Sequence, residues 1–220
     1  MTGGPCAGKS SSLQHIRQKA TEVGFDVYTA PEIATLLFNS GIQYPSNDDD
    51  IVEFQKSLCR IQLHFERNFT SIIERTGRPS ILIFDRGLLD VKGYIPSLEM
   101  WNTILENLDG DSRNSTGRPL TEQYCYARYT GVVHLVTAAD GAPQYYKWGQ
   151  TKDDSGNDVI RRENVEEAIE LDTKMRSASK GHPNHFIIKN EPGATFQDKL
   201  EKATNAILSL AEQTHPLLSK

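Results

Sequence analysis

The sequence predicts an α/β protein in which a parallel sheet lies between two layers of helices. Three observations predict it. Short apolar segments alternate with stretches of helical periodicity along the chain, the pattern of βαβ units. Two of those segments, Ile81-Leu82-Ile83-Phe84, an unbroken apolar run, and Val132–Val136, apolar apart from His134, read as strands covered on both faces. Gly3-Gly4-Pro5-Cys6-Ala7-Gly8-Lys9-Ser10 matches G-x-x-x-x-G-K-[ST], and a helical pattern starts directly behind it.

The elements follow in order. Leu13, Ile16, Ala20 and Val23 recur at helical spacing, so a helix is expected from about Lys9 to Val23, closed by Gly24. Phe25–Thr29 alternates and reads as a strand. A short helix after Pro31 runs to Asn39 and is ended by Gly41. Residues 43–50 are polar and are expected to form a loop. Phe54, Leu58, Ile61, Phe65, Phe69 and Ile72 mark a long amphipathic helix that stops at Gly77. The strand at 81–84 ends in Asp85-Arg86-Gly87. Helices are expected at Leu98–Leu108 and 120–128, around a polar loop at 109–119. The strand at 132–136 is followed by the polar stretch 150–160, expected to be mobile. Asn164 and Glu167 form a capping-box pair ahead of a helix from Val165 to about Ser177. His185–Lys189 is expected as the last buried strand. A final helix starts at Thr195, with Asp198 three residues on. The whole is expected to be one domain over 1–214, with a lid at about 141–163 and a tail at 215–220.

Composition narrows the function. The 24 Lys and Arg against 29 Asp and Glu give a net charge of −5. A basic surface suited to nucleic acid is therefore not expected, since phosphate neutralisation needs one. The three cysteines, Cys6, Cys59 and Cys125, are odd in number and widely spaced, and the six histidines have no metal spacing; this fits a reducing compartment. No apolar run reaches membrane-spanning length and the start has no secretory pattern, so a cytoplasmic location is expected.

The glycine-rich motif carries the chemistry. Its glycines let the backbone turn successive N–H groups inward onto phosphate oxygens. Lys9 adds a cation, and the Ser10 hydroxyl suits Mg²⁺. Gly3, Gly4, Pro5, Cys6, Ala7, Gly8, Lys9, Ser10 and Ser11 are the candidate nucleotide-binding residues. Such a loop normally hangs from a buried strand. Only Met1 and Thr2 precede Gly3, so that strand is expected to be missing from this chain. Asp85, at a strand end, is a candidate to hold Mg²⁺ with Ser10 or to act on an acceptor hydroxyl. Arg86 beside it would orient phosphates or pair with a carboxylate. Asp90 is a weaker candidate for the role of Asp85, the alternative being that it only caps a turn. Glu32, just past the second strand, either addresses an acceptor hydroxyl or stabilises a helix start. Arg161 and Arg162 close the polar stretch, where guanidinium groups on a lid would stabilise a transferring phosphate. Tyr145, Tyr146 and Trp148 either stack on a base or pack under the lid.

Taken together, T-G-G-P-C-A-G-K-S-S, A-P-E-I-A-T, I-F-D-R-G-L-L-D, H-L-V-T-A-A-D-G-A, R-R-E-N-V-E-E-A-I-E-L-D, G-H-P-N-H and a closing K-N resemble the NadR / TRPL-translocation-defect type of AAA domain, from Thr2 to about Asn190. The resemblance implies a kinase-like P-loop fold of strand order 2-3-1-4-5 that binds a nucleoside triphosphate, ATP or GTP, with Mg²⁺. It places Asp85 and Arg86 at the catalytic carboxylate position, Arg161 or Arg162 on the lid, and Asn190 near the base. Some members of that group resemble ribosylnicotinamide kinases. Others look like GTP-binding trafficking proteins that recognise phosphoinositides and carry a further C-terminal domain. The expected function is therefore a kinase-like phosphotransferase acting on a nucleoside-like small molecule. The alternatives are a GTP-dependent regulatory module with a phosphoinositide or protein partner, and a truncated form without activity.

Overall fold

A computed structural model describes residues 1–108, 120–152, 158–161 and 163–214. The side chains of 150–152 and 158–161 are outside that description. Strands β1 (Thr2–Gly3), β4 (Val132–Leu135) and β7 (His185–Ile188) form one parallel sheet in the order β1-β4-β7. Strands β2 (Asp26–Ala30) and β3 (Ser80–Phe84) form a second parallel pair, in register from Asp26↔Ser80 to Ala30↔Phe84. Met1 bridges the two: its ammonium donates to Phe84 O (2.8 Å), and its carbonyl accepts from the Arg86 N–H (2.9 Å).

The strand expected to be missing is thus present as a two-residue β1, paired Thr2↔His134 and Gly3↔Leu135. Thr2 is buried, and its hydroxyl donates to the Asp90 carboxylate. That contact and the Met1 bridge supply what two ladder residues alone could not, so the phosphate loop has a fixed root.

Helices α1 (Lys9–Glu22) and α7 (Phe196–Thr214) pack on the strands. Ile16, Ala20 and Phe25 meet Val27, Ile83, Val133, Leu135 and Ile188, with Ala203 and Ile207 from α7. Ile16 and Phe25 are almost wholly buried; each such side chain stabilises the fold by about 1.5–3 kcal/mol. A second core gathers α3 (Asp48–Glu74), a 3-10 turn at Leu88–Gly93, α4 (Leu98–Asn107) and α5 (Glu122–Ala127) around Trp101, Ile104, Leu88 and Cys125. Helix α2 (Ile33–Asn39) leads from β2 towards α3, and α6 (Val165–Ala178) packs on the 3-10 turn.

Three expectations need correction. α3 begins inside the predicted loop, because the Asn47 side chain caps the Asp50 N–H (3.0 Å) and Asp48, Asp49 and Asp50 suit a helix N-terminus. The buried face of α3 is rotated from the apolar stripe: Ile61 and Ile72 are exposed, whereas Gln55, Gln62 and Glu66 are buried. β7 is not covered on both faces; it pairs only with β4 among the described strands, and Ile187 is exposed. The polar stretch at 150–160, of which 153–157 lie outside the described residues, carries at its described ends an antiparallel pair that the sequence pattern does not announce, β5 (Gly149–Lys152) with β6 (Asp158–Arg161).

Candidate nucleotide-binding site

The loop between β1 and α1 is shaped by backbone that side chains would obstruct. Gly3 has φ +148°, and a Cβ there would lie 2.2 Å from Leu135 O. Gly4 sits against α6, where a Cβ would lie 2.7 Å from Asp172 Oδ1. Cys6 and Gly8 are both left-handed, at φ +53° and +86°. Such turns aim N–H groups into a concave nest.

The loop is tied to its surroundings from behind. The Gly4 N–H donates to Asp172 Oδ1 (2.9 Å). Asp172 Oδ1 also accepts from the Thr137 N–H (3.0 Å) and contacts His134 Nε2 (3.1 Å). The Thr137 hydroxyl donates to Pro5 O, and the Ala138 N–H to Cys6 O (3.3 Å). Ala7 is in the core, and Ser10 is exposed in the first turn of α1. The Lys9 ammonium donates to Gly3 O (3.4 Å). Burial, and next the nearby Arg86 charge, lower its pKa against the pull of Asp85, Glu32 and Asp90. A partly dehydrated cation of this kind gains when an anion arrives.

Asp85, Arg86 and Glu32 meet at the carboxyl ends of β2 and β3. The Asp85 N–H donates to Ala30 O (2.9 Å), which leaves the side chain on the cavity wall. Its Oδ1 is buried without a hydrogen-bond partner. Arg86 is left-handed at φ +66°, and its Nε lies 2.5 Å from Glu32 Oε1. Its guanidinium also reaches Met175 Sδ (3.2 Å) and stands over the Tyr94 ring. Burial works against the Arg86 charge, but Tyr94, Glu32, Asp90 and Asp85 outweigh it and raise the pKa further. Burial likewise opposes the Glu32 charge, while Arg86, Lys9 and the Thr35 hydroxyl hold its pKa below the usual value. Asp90 does cap, accepting from the Gly87 N–H (2.7 Å).

Two cavities open here. One, of about 1230 Å³, runs over the phosphate loop from Cys6 to Ser11 and is walled by Asp85, Gly141, Tyr145 and the segment from Lys189 to Phe196. Lys9, Lys147, Lys189, Lys199 and Lys202 all line it, which suits a polyanion. The other, of about 790 Å³, is lined by Phe38, Phe54, Tyr44 and Tyr94 together with Gln55, Gln62 and Arg86. Glu32 lies in the wall of both.

The predicted residues are largely brought together. Gly3–Ser11, Glu32, Asp85 and Arg86 share one region. Asn190 is on the wall of the larger cavity, but its side chain is engaged: Nδ2 donates to Thr137 O and Asp140 O (both 2.7 Å), and Oδ1 accepts from Lys199 Nζ (2.8 Å). It fastens the ends of β4 and β7. Arg161 ends β6, but its side chain and all of Arg162 lie outside the described residues. Tyr145 lines the larger cavity, and the Tyr146 hydroxyl donates to Glu163 O (2.9 Å). No group of three or more His, Cys, Asp or Glu able to hold a metal occurs among the described residues. Nor is any described helix long and apolar enough to cross a membrane.

Sequence reasoning missed Asp172, Gln55, Gln62 and Lys199. Gln55 and Gln62 do carry a signal, since they are seven residues apart on one side of α3 among apolar neighbours. Asp172 carries little: one carboxylate in an acidic helix looks solvated.

An α/β fold with a parallel sheet, and a glycine-rich loop opening a helix beside a cationic cavity, define a P-loop nucleotide-binding protein. The sequence pattern of a family described as an AAA domain matches residues 1–198, and the chain belongs to that family. Nothing among the curated proteins matches it. Family membership carries P-loop nucleotide binding with it.

Proposed function

We propose that the protein is a Mg²⁺-dependent phosphotransferase that passes the γ-phosphoryl group of ATP or GTP to a hydroxyl of a nucleoside-like small molecule. The observation that carries this reading is Glu32, a carboxylate shared by the wall of the phosphate cavity and that of a second, aromatic-lined cavity. A binding module needs only the first.

In this reading the loop N–H groups and Lys9 hold the β- and γ-phosphates. The residues fit a magnesium ion: Asp85 Oδ1 is a buried oxygen without a partner, and Ser10 offers a hydroxyl in the same cavity. Bound there, Mg²⁺ would neutralise charge building on the phosphate oxygens. The acceptor's ring lies among Phe38, Tyr44 and Phe54, where Phe38 and Phe54 are parallel with centroids 6.1 Å apart. Gln55 and Gln62, both nearly buried, offer amide groups to read its polar edge. Glu32 accepts the hydrogen bond and then the proton of the attacking hydroxyl. Its low pKa makes it a modest base, which suffices because a loose phosphoryl transition state needs little deprotonation of the nucleophile. Arg86 holds Glu32 in place, and Arg161 and Arg162 stand on a lid at about 141–163. The reading takes residues 1–214 as one domain and the two sheets as one, in the kinase-like order 2-3-1-4-5.

Labelled ATP and GTP, each offered with a panel of nucleosides and ribosides, test this. A phosphorylated product is expected, with turnover reduced about 100-fold in Glu32→Gln while nucleotide affinity is kept. Bound nucleotide with no product above the Lys9→Ala background would reduce the protein to a binding module.

A further inference from the structure

We propose that Glu66 is a positioning residue for specificity: it fixes the Gln62 amide with its carbonyl end towards the aromatic-lined cavity, which then selects a ring bearing an exocyclic N–H donor. The inference rests on the reading of that cavity as the seat of the small-molecule acceptor and says which rings it takes.

Glu66 is buried in the second half of α3, and its carboxylate is saturated. Oε1 accepts from Gln62 Nε2 (2.8 Å) and from Tyr129 Oη (2.6 Å). Oε2 accepts from Arg128 Nε (2.7 Å) and lies 2.7 Å from Arg128 Nη2. A carboxylate has about four acceptor sites and no donor, and these four donors fill them. Burial, and next the Glu66 charge, raise the Tyr129 pKa well above its ordinary value, so the phenol stays a donor. Its oxygen accepts in turn from the Leu88 N–H (2.7 Å), which fixes the ring. Turning the Gln62 amide over would set its carbonyl against the carboxylate. One end of the amide is therefore committed, and it is the nitrogen end.

Gln55, seven residues earlier on the same helix, is committed in the same way. Its Nε2 donates to Tyr44 Oη (3.4 Å). That hydroxyl already donates to Tyr94 O (3.3 Å), so towards Gln55 it can only accept. Both glutamines line the cavity, and the end each has left to turn towards a ligand is its carbonyl oxygen. The charges on the wall agree. Glu32, Asp90 and Glu163 are acceptors, and Arg86, the one cation among the described lining residues, is already on Glu32. Such a wall penalises a ring that presents a bare C–H there, because the protein oxygens then lose water without gaining a partner. A Glu66 that only supported the fold would affect all ligands alike; one that positions Gln62 changes their ratio.

Binding is measured by calorimetry without nucleotide, on adenosine against purine riboside and on cytidine against 2-pyrimidinone riboside. Within each pair the compounds differ by one exocyclic amino group. In the parent chain at least one amino compound is expected to bind about tenfold or more tightly than its partner. Gln62→Met keeps the bulk and removes the oxygen, and should bring that ratio within about threefold. Glu66→Gln should do the same, since an amide at 66 lets Gln62 turn either end towards it. Equal affinities within both pairs, a ratio that survives both substitutions, or no binding by any of the four compounds overturns the proposal. If Glu66→Gln does not fold, the parent ratio and Gln62→Met decide by the same outcomes. The expected ratios without any phosphorylated product from labelled ATP or GTP end the phosphotransfer reading and keep the specificity of the cavity. Product formation with equal affinities ends this inference alone.

Discussion

Replacing Asp172 with alanine should loosen the phosphate loop without touching the phosphate side of it. The Asp172 carboxylate is almost fully buried and accepts from the Gly4 and Thr137 N–H groups as well as meeting His134. An unsatisfied buried donor costs about 1–3 kcal/mol, so the two amides set a loss of about 2–6 kcal/mol. Part of this returns, because Asp172 Oδ2 is itself buried without a partner and its burial cost disappears. A net loss of about 2–4 kcal/mol follows, which for a chain of this size lowers Tm by roughly 5–15 °C. Urea unfolding with and without nucleotide measures it. Nucleotide affinity should fall too, since Gly4 belongs to the loop. The pH dependence separates charge from contact. Burial opposes the Asp172 charge, but His134 and the two N–H groups outweigh it, so its folded pKa lies below 3.8. Its ionic contribution is then complete above the unfolded value, near pH 4, and lost as pH falls through the folded one. Asp172→Asn, which keeps an acceptor, should lose less than the alanine variant and lack that acid limb. An alanine variant within about 1 kcal/mol of the parent would refute this account of the loop's support.

Two other consequences are open to measurement. Lys9→Ala removes the cation beneath the phosphates, so Mg²⁺-nucleotide should bind at least about tenfold more weakly by calorimetry and no longer raise Tm. His185 has its pKa lowered to about 4, first by burial and then by His134, His182 and Arg176. The unfolded chain takes up this proton first, so stability should fall as pH drops from about 6.5 to 4. His185→Phe should flatten that limb, read from urea midpoints across the range.

Local signals were legible where one residue decides local structure. The capping box of Asn164 and Glu167 forms as written, with both bonds at 2.9 Å. The reciprocal pair of Thr195 and Asp198 starts α7 in the same way. The phosphate loop was legible because its glycines answer to backbone geometry. What stayed hidden depends on distant partners. The rotation of α3 is set by Arg128 and Tyr129, which bind Glu66 from beyond α5 and draw it into the interior. Counting apolar residues on α3 could not weigh that pairing. Two ladder residues for β1 looked too few because the Met1 bridge to β3 involves backbone atoms only, and these have no sequence signature.

The position of α6 gives these separate contacts a common logic. It starts four residues after the last residue of β6 and is capped at once by Asn164. Two turns on, Asp172 grips Gly4 of the loop, and Met175, one turn further, receives the Arg86 guanidinium beside Glu32. A helix is stiff over this length, so these contacts cannot shift independently. The support of the phosphate loop and the aim of Arg86 at Glu32 are therefore set by one rigid element. A substitution at Asp172 should accordingly disturb Arg86 as well as the loop, although the two never touch.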